Sequence, residues 1–169
     1  MKYLVATAML CLGLSSYLQA QTNTNKLPED LMHFFTGNWS GEGEFSNGRK
    51  IAADLSFQLS LDSSWIMYEH TDKAPNHYKA HSMWGIDAQT GQFAAYAFDN
   101  FQGHRKFDSN GWKNGKLILT CNTFYPKTGV QYQHFIYEKL SDQSFKMTYE
   151  TSNDGITWRM IDYLTFTRK

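Results

Sequence analysis

From residue 45 to the C-terminus the chain is broken ten times by turn chemistry, a spacing that suits strands and places no helix between them. The breaks are Asn47-Gly48, 62–64, 73–76, 88–91, Asp99-Asn100, Asn110-Gly111, Asn114-Gly115, 127–129, 141–143 and 153–155. Asn-Gly and Asp-Gly steps are strong hairpin signals, because both central residues of a type I′ turn need positive φ. Between the breaks, apolar and polar residues alternate with the period of a strand. In KIAADLSFQLSL, Ile51, Ala53, Leu55, Phe57, Leu59 and Leu61 share a face. Tyr78, Ala80, Ser82, Trp84 and Ile86 do so in YKAHSMWGID, as do Trp158, Met160, Leu164 and Phe166 in GITWRMIDYLTFT. Short loops joining successive strands make an antiparallel meander. A twisted sheet of this many strands closes on itself, which removes its unpaired edges. The fold class is therefore all-β: an antiparallel up-and-down β-barrel of about 8–10 strands with a short N-terminal helix.

That helix precedes the meander. Pro28 suits a helix start, Glu29 and Asp30 suit the positive end of its dipole, and Leu31, Phe34 and Phe35 form one apolar stripe. Gly37 ends it. A helix of two turns cannot persist alone, so it must dock on an apolar surface.

Residues 1–20 have the pattern of an export signal: Lys2, an apolar run from Tyr3 to Leu14, and a cleavage point after Ala20. The run is too short to span a bilayer comfortably, and no other segment reaches ~20 apolar residues. Cys11 lacks the small neighbours of a lipid-attachment site. Residues 21–26 are a polar leader, and 27–169 form one domain, exported to the periplasm or secreted, with no membrane insertion after signal removal. Cleavage leaves Cys121 as the sole cysteine, so packing alone must close the fold. With 16 basic and 16 acidic residues and no basic run, nucleic acid has no electrostatic footprint to recognise. Aromatic residues make up 16% of the chain, which suits a barrel whose broad side chains fill a core or line a pocket.

The stretch GNWSGEGEF, residues 37–45, tests a nucleotide reading directly. A phosphate loop needs its glycines between a strand and a helix; here acids flank them and a hairpin follows. Read with period two, Trp39, Gly41, Gly43 and Phe45 face inward and Glu42 and Glu44 outward. Inward glycines permit bending and close approach of a neighbour or ligand. Gly37-x-Trp39 after a short helix resembles the entry of lipocalin-type (calycin) barrels, which implies that Trp39 closes one end and that Arg168 of the last strand packs over it. The chain lacks the disulfide and long C-terminal helix of true lipocalins. It is most similar to the bacterial domain-of-unknown-function family 1579, through GNWSGEGEF, FDNFQGHRKFDSNGW and YETSNDGITW. The glycine-tryptophan entry also resembles nitrobindin-type haem barrels, which ligate iron through a histidine.

Candidate site residues follow from facing. His77 and His81 form H-x-x-x-H, but on a strand such positions stand ~13 Å apart, too far to share a metal. His81 and His104 alternate with polar residues and face solvent. His134, grouped with Val130, Tyr132 and Ile136, is expected to face the interior, although Phe135 and Tyr137 compete for that side. It is the best general-base candidate, and the axial ligand if haem binds. Arg105 alternates with polar neighbours and is expected inside, where a buried charge needs a partner; Asp162 and Glu69 are the candidates, with Asp162 on the apolar face of the last strand. Free of a partner, Arg105 would clamp a ligand carboxylate. No second acid of known facing completes a glycosidase pair, and no nucleophile elbow supports Ser-His-Asp chemistry. The expectation is a small-molecule-binding barrel for a mostly apolar ligand with a polar or anionic end, with Trp39, Trp84, Arg105, His134, Tyr149 and Trp158 as ligand contacts. No cofactor is expected unless haem binds at His134. The alternatives are that haem barrel and a small isomerase or hydrolase using His134 with Arg105 or Asp162.

Overall fold

A computed structural model describes residues 26–169; the signal-peptide reading of 1–20 and nearly all of the leader lie outside the described residues. Helix α1 (Glu29–Phe35) is followed by ten strands: β1 (Gly37–Phe45), β2 (Lys50–Ser60), β3 (Trp65–Asp72), β4 (Lys79–Ile86), β5 (Phe93–Asp99), β6 (His104–Ser109), β7 (Lys116–Tyr125), β8 (Gly129–Ser141), β9 (Ser144–Ser152) and β10 (Arg159–Arg168). Each strand pairs antiparallel with the next, and β1 pairs with β10 to close the barrel. β6 and β7 meet through one register pair, Asp108 with Thr120.

The alternation read from the sequence places the walls correctly over much of the barrel. Ile51, Ala53, Leu55 and Phe57 are buried, whereas Leu59 and Leu61 sit at the β2–β3 hairpin tip, 44% and 66% exposed. Leu61 has already entered the turn, with φ +50°. Outward faces carry charge, among them Glu42, Lys79, His81, Lys106 and Asp108, all exposed. A membrane-spanning barrel shows the reverse, apolar outside and polar within. No helix among the described residues is long and apolar enough to cross a membrane.

One end of the barrel is plugged by α1. Leu31, Phe34 and Phe35 are buried there, and the Phe35 ring stands 5.1–5.9 Å from the rings of Phe57, Trp84, Trp112, Tyr137 and Phe145. Edge-to-face contacts at such distances add stabilisation beyond the area buried. Trp112, from the β6–β7 loop, stacks on Phe34 and clamps the helix from outside. Trp39 is fully buried at the same end and donates Nε1–H to the Phe35 carbonyl (2.8 Å). The Arg168 guanidinium lies 4.2 Å from the Trp39 ring and donates to the carbonyls of Thr36 (2.7 Å) and Phe34 (2.5 Å). These are carbonyls at the helix end that the helix itself leaves unsatisfied. Gly37 makes room for this arrangement: its φ is +131°, and a Cβ there would stand 2.7 Å from an Arg168 nitrogen.

The inward glycines of β1 admit the neighbouring strand. A Cβ on Gly43 would fall 1.7 Å from the Tyr163 carbonyl oxygen, and one on Gly41 would meet the Phe166 ring at 2.4 Å. Their missing side chains let β10 approach β1 closely enough to close the barrel.

Candidate functional site

The half of the barrel away from α1 holds a cavity of about 390 Å³. Its floor is apolar: Tyr68, Trp84, Phe107, Tyr137, Met147 and Leu164 converge above the helix plug. Its rim is Phe45 and Arg49 from the β1–β2 hairpin, Pro75, Asn76 and His77 from the β3–β4 loop, and Phe101 from the β5–β6 loop. Arg49 lies over the Phe45 ring, and His77 stands edge-on to Phe101. Between floor and rim runs a belt of polar groups.

Arg105 enters the belt from β6, facing inward as expected. Its partner is neither Asp162 nor Glu69 but Asp99, whose Oδ2 accepts from the guanidinium at 2.7 Å. Asp99 ends β5, and its Oδ1 also accepts from the amides of Phe101 (3.0 Å) and Gly103 (2.9 Å). The same acid thus shapes the tight β5–β6 turn and neutralises the arginine across it. Arg105 also donates to Gln133 Oε1 (3.0 Å) and to the Tyr78 hydroxyl (3.3 Å). Gln133 is fully buried, and the Tyr149 hydroxyl donates to the same Oε1 at 3.2 Å. Burial pushes the Tyr149 phenol up to about 12.

Across the cavity, β3 contributes a second polar chain. The Tyr68 hydroxyl is 3.0 Å from His70 Nδ1, and His70 Nε2 is 2.8 Å from Asp72 Oδ1. This fits an imidazole that donates from Nε2 to the carboxylate and accepts from the tyrosine. Glu69 lies on the opposite face, beside exposed His81 (3.4 Å), which settles its facing as outward.

Asp162 faces the cavity from β10, opposite Tyr149 in register. Burial, and secondarily the charge of Asp72, push its carboxyl up to about 7. Among the described residues no hydrogen bond or ion pair reaches this carboxyl. Cys121 offers no ready nucleophile, since burial raises its thiol to about 11.

Of the six residues singled out from the sequence, Trp84, Arg105 and Tyr149 meet in the cavity wall. Trp39 belongs to the packed end below the floor. His134 and Trp158 are corrected. β8 turns Gln133, Phe135 and Tyr137 inward, so His134 points out of the barrel, where its ring stacks on Trp158 (centroids 3.4 Å apart, planes 14°). Burial under the indole lowers the imidazole pKa, against a smaller opposite pull from Glu150 at 4.0 Å. A haem in the cavity would not meet His134, and the acid–base role expected of it has no access to the interior. The error at Trp158 and Met160 has a local cause. β10 carries a bulge between Met160 and Asp162, so its alternation reverses there. Asp162, Leu164 and Phe166 face in, whereas Met160 pairs with the outward Glu150.

His70, Asp72, Asp99 and Gln133 escaped the sequence reading. The signal for the first two was present, because the Ile66–Tyr68 alternation continues through His70 and Asp72. Buried polar residues must find hydrogen-bond partners, so polar residues at inward strand positions point to a polar network inside the barrel.

Comparison with known proteins finds no matching family model and no matching curated protein. Among solved structures, the chain is similar to a de novo designed fluorescence-activating β-barrel, at 9% identity and a TM-score of 0.44, covering 83% of this chain and 98% of that one. It is also similar to a redesigned β-barrel, at 14% identity and a TM-score of 0.37, covering 80% of this chain and 92% of that one.

Proposed function

We propose that this chain is an exported small-molecule-binding barrel whose ligand is mostly apolar with one polar end. The observation that carries this reading is the cavity: about 390 Å³, floored by aromatic and aliphatic side chains, belted by polar groups and rimmed by loops at the end away from α1. Its volume lies within the ~300–1,000 Å³ of small-molecule sites, and an apolar wall with a few convergent polar groups is their usual make-up. An anionic end would meet Arg105 with its charge already shared with Asp99, which weakens the carboxylate-clamp version. Export is supported by the signal-like pattern of residues 1–20. Arg168 over Trp39 supports a lipocalin-type entry to the barrel, and the resemblance to family 1579 rests on the quoted sequence motifs.

Titration with pyrene, an uncharged hydrocarbon, tests the reading. Saturable one-site binding with quenching of tryptophan fluorescence is expected, and Ala97→Phe, which fills the cavity wall, should abolish it. Pyrene that fails to saturate, or that binds the filled variant equally well, refutes a cavity-binding function.

A further inference from the structure

The polar belt is unevenly satisfied. Arg105 has its two terminal nitrogens committed to Asp99, Gln133 and Tyr78, and His70 has both ring nitrogens engaged. Two acids therefore sit beside partners of their own. Asp162 does not: its register partner on β9 is Tyr149, and the cavity-lining Asp72, a like charge, acts on it. Arg49 at the rim forms no ion pair with it among the described residues. A second group on the cavity wall is also unpartnered. Ser82 is only 5% exposed, and its Oγ, buried, has no hydrogen bond. Arg105 Nε is likewise unpaired, but it offers a single N–H on a guanidinium that Asp99 has neutralised. The acid without a partner thus sets the preference of the site, because a carboxylate accepts hydrogen bonds and donates none.

We propose that the cavity selects apolar molecules ending in a hydrogen-bond-donating cationic nitrogen, an aryl-alkyl amine in the simplest case, which docks its ammonium on Asp162 with its apolar body toward Trp84 and Tyr137. This rests on the ligand-binding reading above and specifies the ligand class for that site. A desolvated carboxylate without a counter-charge is costly, and an ammonium supplies both the charge and the donors. A carboxylate ligand would instead add a third like charge beside Asp162 and Asp72.

Proton linkage makes the proposal measurable. The titratable and charged groups that line the cavity with Asp162 are Tyr149 from β9, Tyr68, His70 and Asp72 from β3, His77 and Tyr78 ahead of β4, Arg105 from β6, Tyr137 from β8 and Arg49 at the rim. Because the empty-site carboxyl titrates at about 7, binding an ammonium below that pH must expel its proton. Amine affinity should then fall about tenfold per pH unit below 7 and level off above it.

The test is calorimetric titration of the protein with 4-phenylbutylamine, 4-phenylbutan-1-ol and 4-phenylbutanoate, at pH 5 to 8, alongside pyrene. The amine should bind at least tenfold more tightly than the alcohol at pH 8, and the carboxylate most weakly. About one proton should leave on amine binding at pH 6, read from titrations in buffers of different ionisation enthalpy. Asp162→Asn, near-isosteric and confirmed folded by near-UV circular dichroism, should bring the amine-to-alcohol ratio close to one. The proposal is overturned by a carboxylate that binds as tightly as the amine, by amine affinity flat across the pH range, or by a preference that survives in Asp162→Asn. If pyrene binds and none of the three phenylbutyl probes does, the amine assignment is overturned and cavity binding stands. If pyrene fails as well, the ligand-binding reading itself falls.

Discussion

Replacing Asp162 by asparagine should stabilise the protein, and only where the aspartate would be charged. In the unfolded chain an aspartate carboxyl titrates near 3.9. In the barrel, burial and the charge of Asp72 hold the Asp162 carboxyl at about 7. A carboxyl whose folded-state pKa is raised binds its proton more tightly in the folded state. Its contribution to stability is present in full below about pH 4 and drains away as pH rises to about 7. Each pKa unit corresponds to about 1.4 kcal/mol, so the loss is on the order of 4 kcal/mol above pH 7. Asparagine copies the shape of the protonated acid and never ionises. The variant should therefore match the wild type near pH 4 and exceed it by roughly 3–4 kcal/mol at pH 8. Urea denaturation of both proteins at half-unit intervals from pH 4 to 8 measures the difference, and titrating groups that do not interact with Asp162 cancel in the subtraction. A difference that stays constant across that range, or grows toward acid, would show that Asp162 is solvated or paired and would refute the reasoning.

Gly43→Ala should cost at least 1–3 kcal/mol, read as a fall in melting temperature, because its Cβ would overlap the Tyr163 carbonyl and part the β1–β10 seam. Arg168→Ala should cost about 3 kcal/mol and raise amide exchange across residues 29–37, since it removes both the cation over Trp39 and two donors to the helix-end carbonyls. Arg168→Lys should recover only part of this, as a single ammonium cannot span both carbonyls. His134→Ala should leave pyrene affinity unchanged while altering Trp158 fluorescence, and cost about 1 kcal/mol from the lost stack. A drop in pyrene affinity in that variant would return His134 to the interior.

What the chain determines locally, it determines by sequence alone. Glycine after Asn or Asp marks turns because glycine tolerates positive φ, as at Gly48, Gly111, Gly115 and Gly155, though only Asn114-Gly115 takes the paired positive φ of a type I′ turn. Ten turn breaks of all kinds leave a meander that has to close. Pro28 through Phe35 specify a helix with one apolar face, and the inward glycines of GNWSGEGEF mark where a strand is approached closely. Facing was legible wherever one side of a strand was plainly polar, as around Arg105, Ser82 and Trp84.

Tertiary structure decided the rest. β8 carries aromatic residues on both faces, Tyr132 opposite Phe135 and Tyr137, so alternation allows two phases and only burial of Gln133 and Tyr137 against the core selects one. That choice turned His134 outward. In β10 a single extra residue reverses the phase, and a bulge is set by pairing with β9, which the strand's own sequence does not show. Charge partners were least legible of all. Asp99 pairs with Arg105 because a tight turn folds β6 back on β5, and Asp162 comes under the like charge of Asp72 because closure through β1 and β10 brings both into one cavity wall. Electrostatic energy depends on distances of a few ångströms between residues remote in the chain, and only the closed barrel sets those distances.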